Sequence, residues 1–222
     1  MPFRALVFDF DGLIMDTETP EVEAWQTIFG EHGFEFPEEW WVQAVGRGAE
    51  QMAETPIHVL ERKVGRSLDH EALHAVYEER RMSVINALDA LPGVRELIDE
   101  AKRSGIALAV ASSSKHDWVD THLTRIGLFD RFDAILCADD VQQAKPFPDL
   151  YLAACAALDA EPSRSLALED SPNGIRAAKD AGLWCITIPN PQTAHLDLSQ
   201  ADIRLDTLSG ITIDRLDKLI GS

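Results

Sequence analysis

Apolar residues along the chain fall into two kinds of pattern. Short, nearly continuous β-rich runs occur at "RALVFDF" (4–10), "IALAVAS" (106–112), "FDAILC" (132–137), "SLALED" (165–170) and "WCITIP" (184–189). Continuous rather than alternating runs predict strands covered on both faces. Between them the spacing becomes helical. "GVRELIDEAKRSG" (93–105) sets Val94, Leu97, Ile98 and Ala101 on one face and stops at Gly105. "KHDWVDTHLTRIG" (115–127) does the same with Trp118, Val119, His122, Leu123 and Ile126, and helices are also expected over 148–159 and 171–182. Strands alternating with helices predict a parallel α/β sheet with right-handed crossovers.

Residues 18–89 interrupt this rhythm. They hold helical stretches, such as "LDHEALHAVYEERRMSVINAL" (68–88), and no convincing strand, and they end at "LPG" (91–93). The expected organisation is a Rossmann-like parallel sheet core flanked by helices, over 1–17 and 90–222, with an inserted all-helical cap over 18–89.

Composition narrows the function classes. A chain of 222 residues with 45% apolar content can bury a sizeable core. The net charge is −18, from 38 acidic against 20 basic residues, which disfavours nucleic acid and anionic membranes as partners. Cys137, Cys155 and Cys185 are widely spaced in apolar stretches and are expected to be reduced core residues. A strand begins almost at the N-terminus, and no apolar run approaches the ~18 residues of a membrane span, so a soluble cytoplasmic protein is expected. Nothing in the pattern assigns an oligomeric state.

The chemistry gathers at strand ends. The first strand delivers Asp9 and Asp11 into a Gly12 turn; the second ends at Ser112, followed by Ser113 and Ser114; Lys145 follows the third in "QAKPFPD"; the fourth ends at Glu169 and Asp170. In parallel sheets, ligands bind beyond the carboxyl ends of the strands. Four converging carboxylates repel one another unless a cation lies among them, and a hard divalent ion, most simply Mg²⁺, meets that need. Hydroxyl and ammonium groups suit phosphate oxygens. One carboxylate can attack phosphorus, and a second, two residues on, can protonate the departing oxygen and then activate water.

"DFDGLIMDTE", the strand-end Ser112 of "VASSS", "AKPFPD" and "LEDSPNGIRAAKDAG", taken in order, resemble the haloacid dehalogenase superfamily of phosphotransferases. The helical insertion resembles its β-phosphoglucomutase and sugar-phosphate phosphatase branch. That resemblance implies Asp9 as nucleophile and Asp11 as general acid/base. It also implies Asp9, the Asp11 backbone carbonyl and Asp170 as Mg²⁺ ligands, with Glu169 a fourth or indirect one, and Ser112 and Lys145 as phosphate clamps. It argues against dehalogenation, which needs no second aspartate to protonate a leaving group. The implied activity is Mg²⁺-dependent phosphatase action on a small phosphorylated metabolite, with a phosphomutase as the alternative enzyme and a phospho-ligand-binding protein as the non-enzymatic one.

Other residues carry two readings. Ser112 can also cap the helix after it, and Ser113 and Ser114 divide evenly between capping and phosphate contact. Arg47, in "AVGRGAE", is either a cap contact to an anionic group or an ordinary surface arginine. Asp16 and Thr17 are expected to shape the turn into the cap, Arg80 and Arg81 to form a solvated face, and Trp40 and Trp41 to pack the cap. His122 is expected to pack in its helix, and no role is assigned to the other histidines. At the start of the cap, where the resemblance to β-phosphoglucomutases implies a histidine, this chain has Glu21.

Overall fold

The computed structural model describes residues 3–47 and 52–221. Its centre is a six-stranded parallel sheet in the order β3-β2-β1-β4-β5-β6. The strands are β1 (Ala5–Phe8), β2 (Ala107–Ala111), β3 (Ala134–Leu136), β4 (Ser165–Glu169), β5 (Trp184–Thr187) and β6 (Ile203–Arg204). β1 is central: Phe8 is in register with Val110 of β2 on one side and Leu168 of β4 on the other. After β3 the chain crosses to the far side of β1, so the order reverses there and opens a crevice at the carboxyl ends.

Side-chain alternation sorts the strands into two layers. Leu6, Phe8, Leu108, Val110, Leu166 and Leu168 pack into the larger cluster, beneath α5 (Val94–Arg103), α6 (His116–Arg125) and α9 (Ile213–Ile220). The opposite face carries the smaller Val7, Ala109, Ala111, Ala167 and Cys185, which let α7 (Asp149–Ala157) and α8 (Pro172–Asp180) lie close to the sheet. The expected apolar face of α5 is buried in full. The three cysteines are free and buried, as composition implied. β6 and α9 extend the core beyond the elements that the apolar runs marked.

Between β1 and α5 lie α1 (Glu18–Glu31), α2 (Glu38–Ala44), α3 (Pro56–Val64) and α4 (His70–Ile85), with no strand among the described residues. They have their own core: Trp25 stacks on Tyr77 at 4.5 Å, with Ile28, Phe29 and Leu60 buried around them. Arg125 of α6 fastens the return to the sheet, donating to the carbonyls of Ile85 (3.1 Å), Asn86 (3.1 Å) and Leu88 (2.7 Å). Asn86 and Leu88 lie just past α4, where a helix offers no further N–H, and Ile85 O also accepts the N–H of Leu88 at 3.1 Å. No helix among the described residues is long and apolar enough to cross a membrane.

Candidate active site

β1 stops at Phe8, so Asp9 is the first residue beyond the strand, held to β4 by its N–H on Leu168 O at 3.0 Å. The chain then turns sharply through Gly12, whose N–H reaches Met15 O at 2.8 Å. Gly12 has φ +79, and an added Cβ would lie 2.5 Å from Asn190 Nδ2 and 2.6 Å from Asp170 Oδ2. Glycine is required there by both backbone conformation and space.

The floor of the site is charged and dry. Lys145 Nζ, with 1% of its side chain exposed, donates to Asp9 Oδ1 and Glu169 Oε1, both at 2.6 Å. Glu169 is fully enclosed: Tyr151 OH donates to Oε1 at 2.6 Å, and the N–H groups of Asp170 and Ser171 approach Oε2 at 3.1 and 3.3 Å. It tucks under the N-terminus of α8, where Gly174 leaves the space: a Cβ there would lie 1.9 Å from Glu169 Oε1.

Burial and crowded negative charge set the protonation equilibria. Desolvation, opposed by Lys145 and reinforced by Glu169 and Asp11, pushes Asp9 up to about 7. Desolvation and the nearby Glu18, Asp9 and Glu169 hold Asp170 well above the usual carboxylate range; desolvation, helped by Asp9 and Asp11 and opposed by hydrogen bonds with Asn190 and Asp170, raises Glu18 as well. Desolvation alone would lower Lys145, but attraction to Asp9 and Glu169 outweighs it and raises the lysine.

This floor suits a cation. One carboxylate oxygen each from Asp9, Glu169 and Asp170 lie within 4.8 Å of one another. Asp170 Oδ1 is buried without a hydrogen-bond partner. Carboxylates outnumber the single ammonium, and an all-oxygen donor set matches a hard divalent ion.

The mouth of the site is organised around Asp11. Thr17 Oγ1 and Trp118 Nε1 donate to Oδ1 at 2.7 and 2.8 Å; Ser114 Oγ and Ser112 Oγ donate to Oδ2 at 2.6 and 3.3 Å. Both oxygens of Asp11 are thus engaged by donors, and its side chain is not among the three carboxylates that lie within 4.8 Å of one another. Ser113 points elsewhere, donating to Gly46 O at 3.1 Å. Arg47 is exposed and reaches Asn173 Oδ1 of α8 at 3.3 Å.

Arg81 corrects an expectation. It is not on a solvated face: its side chain is 18% exposed, its guanidinium lies 4.7 Å from the Trp118 ring centroid and 5.2 Å from that of Tyr77, and it pairs with Glu78. The sequence held a signal, because Tyr77, Arg81 and Ile85 recur every four residues and the outer two are buried. Glu21 faces this group; burial raises its carboxyl, against the opposing pull of Arg81 and a Tyr77 hydrogen bond. Thr17 does more than shape the turn, since it holds Asp11. Trp118, Tyr151, Glu18 and Asn190 are site residues that the sequence reading passed over. Glu18 stood in view, as an acid directly after "DGLIMDT" at the start of a helix, whereas Asn190 follows β5 with no marker of its own.

The sequence pattern shared by the haloacid dehalogenase-like hydrolases matches residues 6–188. This chain belongs to that family. YhcW of Bacillus subtilis, which carries a provisional phosphatase name, is 44% identical over 206 residues, spanning 93% of this chain and 92% of the relative. The validoxylamine A 7'-phosphate phosphatase of Streptomyces hygroscopicus subsp. limoneus is 32% identical over 94% of this chain and 96% of its own. The crystal structure of CbbY from Rhodobacter sphaeroides in complex with phosphate superposes with a TM-score of 0.72 at 32% identity, covering 97% of this chain and 99% of that one.

Proposed function

We propose that this enzyme, a phosphoric monoester hydrolase by family and by relatives, is an Mg²⁺-dependent phosphatase that works through an aspartyl-phosphate. Its substrate is a small phosphorylated metabolite of the sugar-phosphate kind, bound between a core (1–17 and 90–222) and a cap (18–89). The observation that carries this reading is the floor itself: Lys145 bridges Asp9 and Glu169 at 2.6 Å beside a buried, unpaired oxygen of Asp170. A solvated surface lysine or a set of turn aspartates has no reason to be buried in this arrangement.

In this mechanism Lys145 and Ser112 take the phosphate oxygens. A carboxylate oxygen of Asp9 attacks phosphorus, the bond to the leaving oxygen breaks, and Asp11 gives that oxygen its proton. Asp11 then removes a proton from water, whose oxygen attacks the phosphoryl group; inorganic phosphate leaves and Asp9 is restored. Asp9 and Asp170, with the Asp11 carbonyl and Glu169 nearby, would hold the Mg²⁺. When bound, that ion supplies positive charge against the carboxylates and the transferring phosphoryl group.

The phosphomutase alternative needs a site that accepts a bisphosphate. Glu21, which faces Arg81 and Tyr77, stands where the β-phosphoglucomutase resemblance implies a histidine, and a carboxylate there donates no hydrogen bond to a second phosphate. Release of inorganic phosphate from p-nitrophenyl phosphate and from a panel of sugar monophosphates, with Mg²⁺ and no bisphosphate activator, tests the proposal. Fast isomerisation of β-glucose 1-phosphate in the presence of glucose 1,6-bisphosphate, with negligible phosphate release, would overturn it.

A further inference from the structure

Asp170 presents its two oxygens asymmetrically. Oδ2 accepts from Asn190 Nδ2 at 2.8 Å and Thr193 Oγ1 at 3.4 Å, while Oδ1 is buried and unpartnered. Asn190 comes from the loop after β5, outside the acidic triad. The same Nδ2 donates to Glu18 Oε2 at 2.6 Å. The amide cannot be turned over without loss, because its Oδ1 accepts the N–H of Gln192 at 2.8 Å. Glu18, Asn190 and Asp170 are all buried, and the Gly12 turn packs against the three of them.

We infer that Asn190, braced by Glu18, is a positioning residue that keeps Asp170 rotated so that Oδ1, and not Oδ2, faces the metal position. A primary amide suits this place chemically. It is neutral, so it adds nothing to a crowd of negative charge, and its two N–H groups can serve two carboxylates at once, giving each a defined oxygen. Without it, Asp170 Oδ2 keeps only the longer Thr193 contact at 3.4 Å and the neighbouring Glu18 carboxyl, and Glu18 loses its amide donor. Outer groups that orient metal-bound carboxylates typically alter metal affinity about 10–100-fold when removed.

The inference rests on the Mg²⁺ reading, and the experiment separates the two. Mg²⁺ is titrated calorimetrically into the resting full-length protein without substrate, and thermal unfolding is recorded in chelator. Absence of Mg²⁺ binding by the unaltered protein would overturn the metal reading itself. Given binding, Asn190→Ala and the near-isosteric Asn190→Leu are expected to weaken it by about 10–100-fold. A folded variant of either kind with unaltered affinity would overturn the inference. The Glu18 pair decides independently. Glu18→Gln keeps an acceptor for Asn190 and should retain most of the affinity, whereas Glu18→Ala should lose it. Equal loss in both would mean that the charge of Glu18, not its hydrogen bond, is what matters, and would overturn the bracing role.

Discussion

Around Asp9 the site is charged, dry and crowded; Asp11, two residues later, is half open and held by uncharged donors. Asp9 faces an ammonium and other carboxylates, all buried. Asp11 faces two serines, a threonine and an indole, none of them ionised. The contrast divides the labour. A group that stays in place and takes phosphorus needs fixed charges and a cation to hold it. A group that gives and takes a proton needs room and partners that can be exchanged for a leaving oxygen or a water. The floor is built by strand ends of the sheet, whereas the mouth draws on the helices between β1 and α5, since Thr17 leads into α1 and Arg81 of α4 covers Trp118.

The largest expected effect lies at the floor. Asp9→Asn should lower turnover on the order of 10⁵–10⁶-fold, as loss of a covalent nucleophile does elsewhere. Steady-state phosphate release by purified, folded protein measures it, and activity near the unaltered level would remove the covalent mechanism. At the mouth, Asp11→Asn should lower turnover by about 10²–10⁴-fold. The loss should shrink as the leaving group becomes more acidic, because such an oxygen departs without a proton. A loss independent of leaving-group acidity, measured across substituted phenyl phosphates, would give Asp11 a role unlike the one assigned.

The floor also predicts a pH effect. In the metal-free folded state Asp9 titrates at about 7, against 3.8 as its ordinary value. Between those values the folded protein holds a proton that the unfolded chain has released, so stability falls as pH rises across that window. Asp170 and Glu18 are raised as well and act in the same direction. Lys145 is raised from 10.5, so its stabilising contribution is fully present throughout this window. Thermal unfolding in chelator should therefore show a falling melting temperature from about pH 4 to pH 7, with added Mg²⁺ restoring most at the upper end. A flat profile would mean that the floor is not short of positive charge.

The smallest effect should come from Arg81→Met, which keeps bulk but removes the cation stacked on Trp118. A contact of this kind contributes about 0.5–2 kcal/mol, so a fall of a few degrees in melting temperature with little change in kcat is expected from thermal unfolding and saturation curves. A kcat loss as large as that of Asp11→Asn would instead place Arg81 in the proton-transfer step.

The floor was more legible in the sequence than the mouth, for a physical reason. Strands buried on both faces leave unbroken apolar runs, and a charge at the end of such a run stands out against them. Asp9, Glu169 and Asp170 stood out in this way, and Lys145 through its place after the third run. The helical character of the segment between β1 and α5 was legible as an absence of such runs. The contacts at the mouth join elements far apart in the chain, as where Trp118 and Ser114 meet Asp11, and each residue taken alone is an ordinary member of a helix or loop. Arg81 was misplaced because a charged "YEERR" segment reads as solvated unless its four-residue spacing to Tyr77 and Ile85 is weighed first.

The enclosure of Lys145 bears on chemical labelling. An amine-reactive reagent needs an unprotonated nitrogen that it can reach, and Lys145 offers neither: its attraction to Asp9 and Glu169 raises its pKa, and its side chain is 1% exposed. Every other lysine in the chain is at least partly exposed. In the folded protein Lys145 should be the last lysine modified, and its modification should track global opening of the core. A mild acylating reagent followed by peptide mass mapping thus turns this side chain into an internal clock for unfolding, one that needs no substrate and no engineered probe.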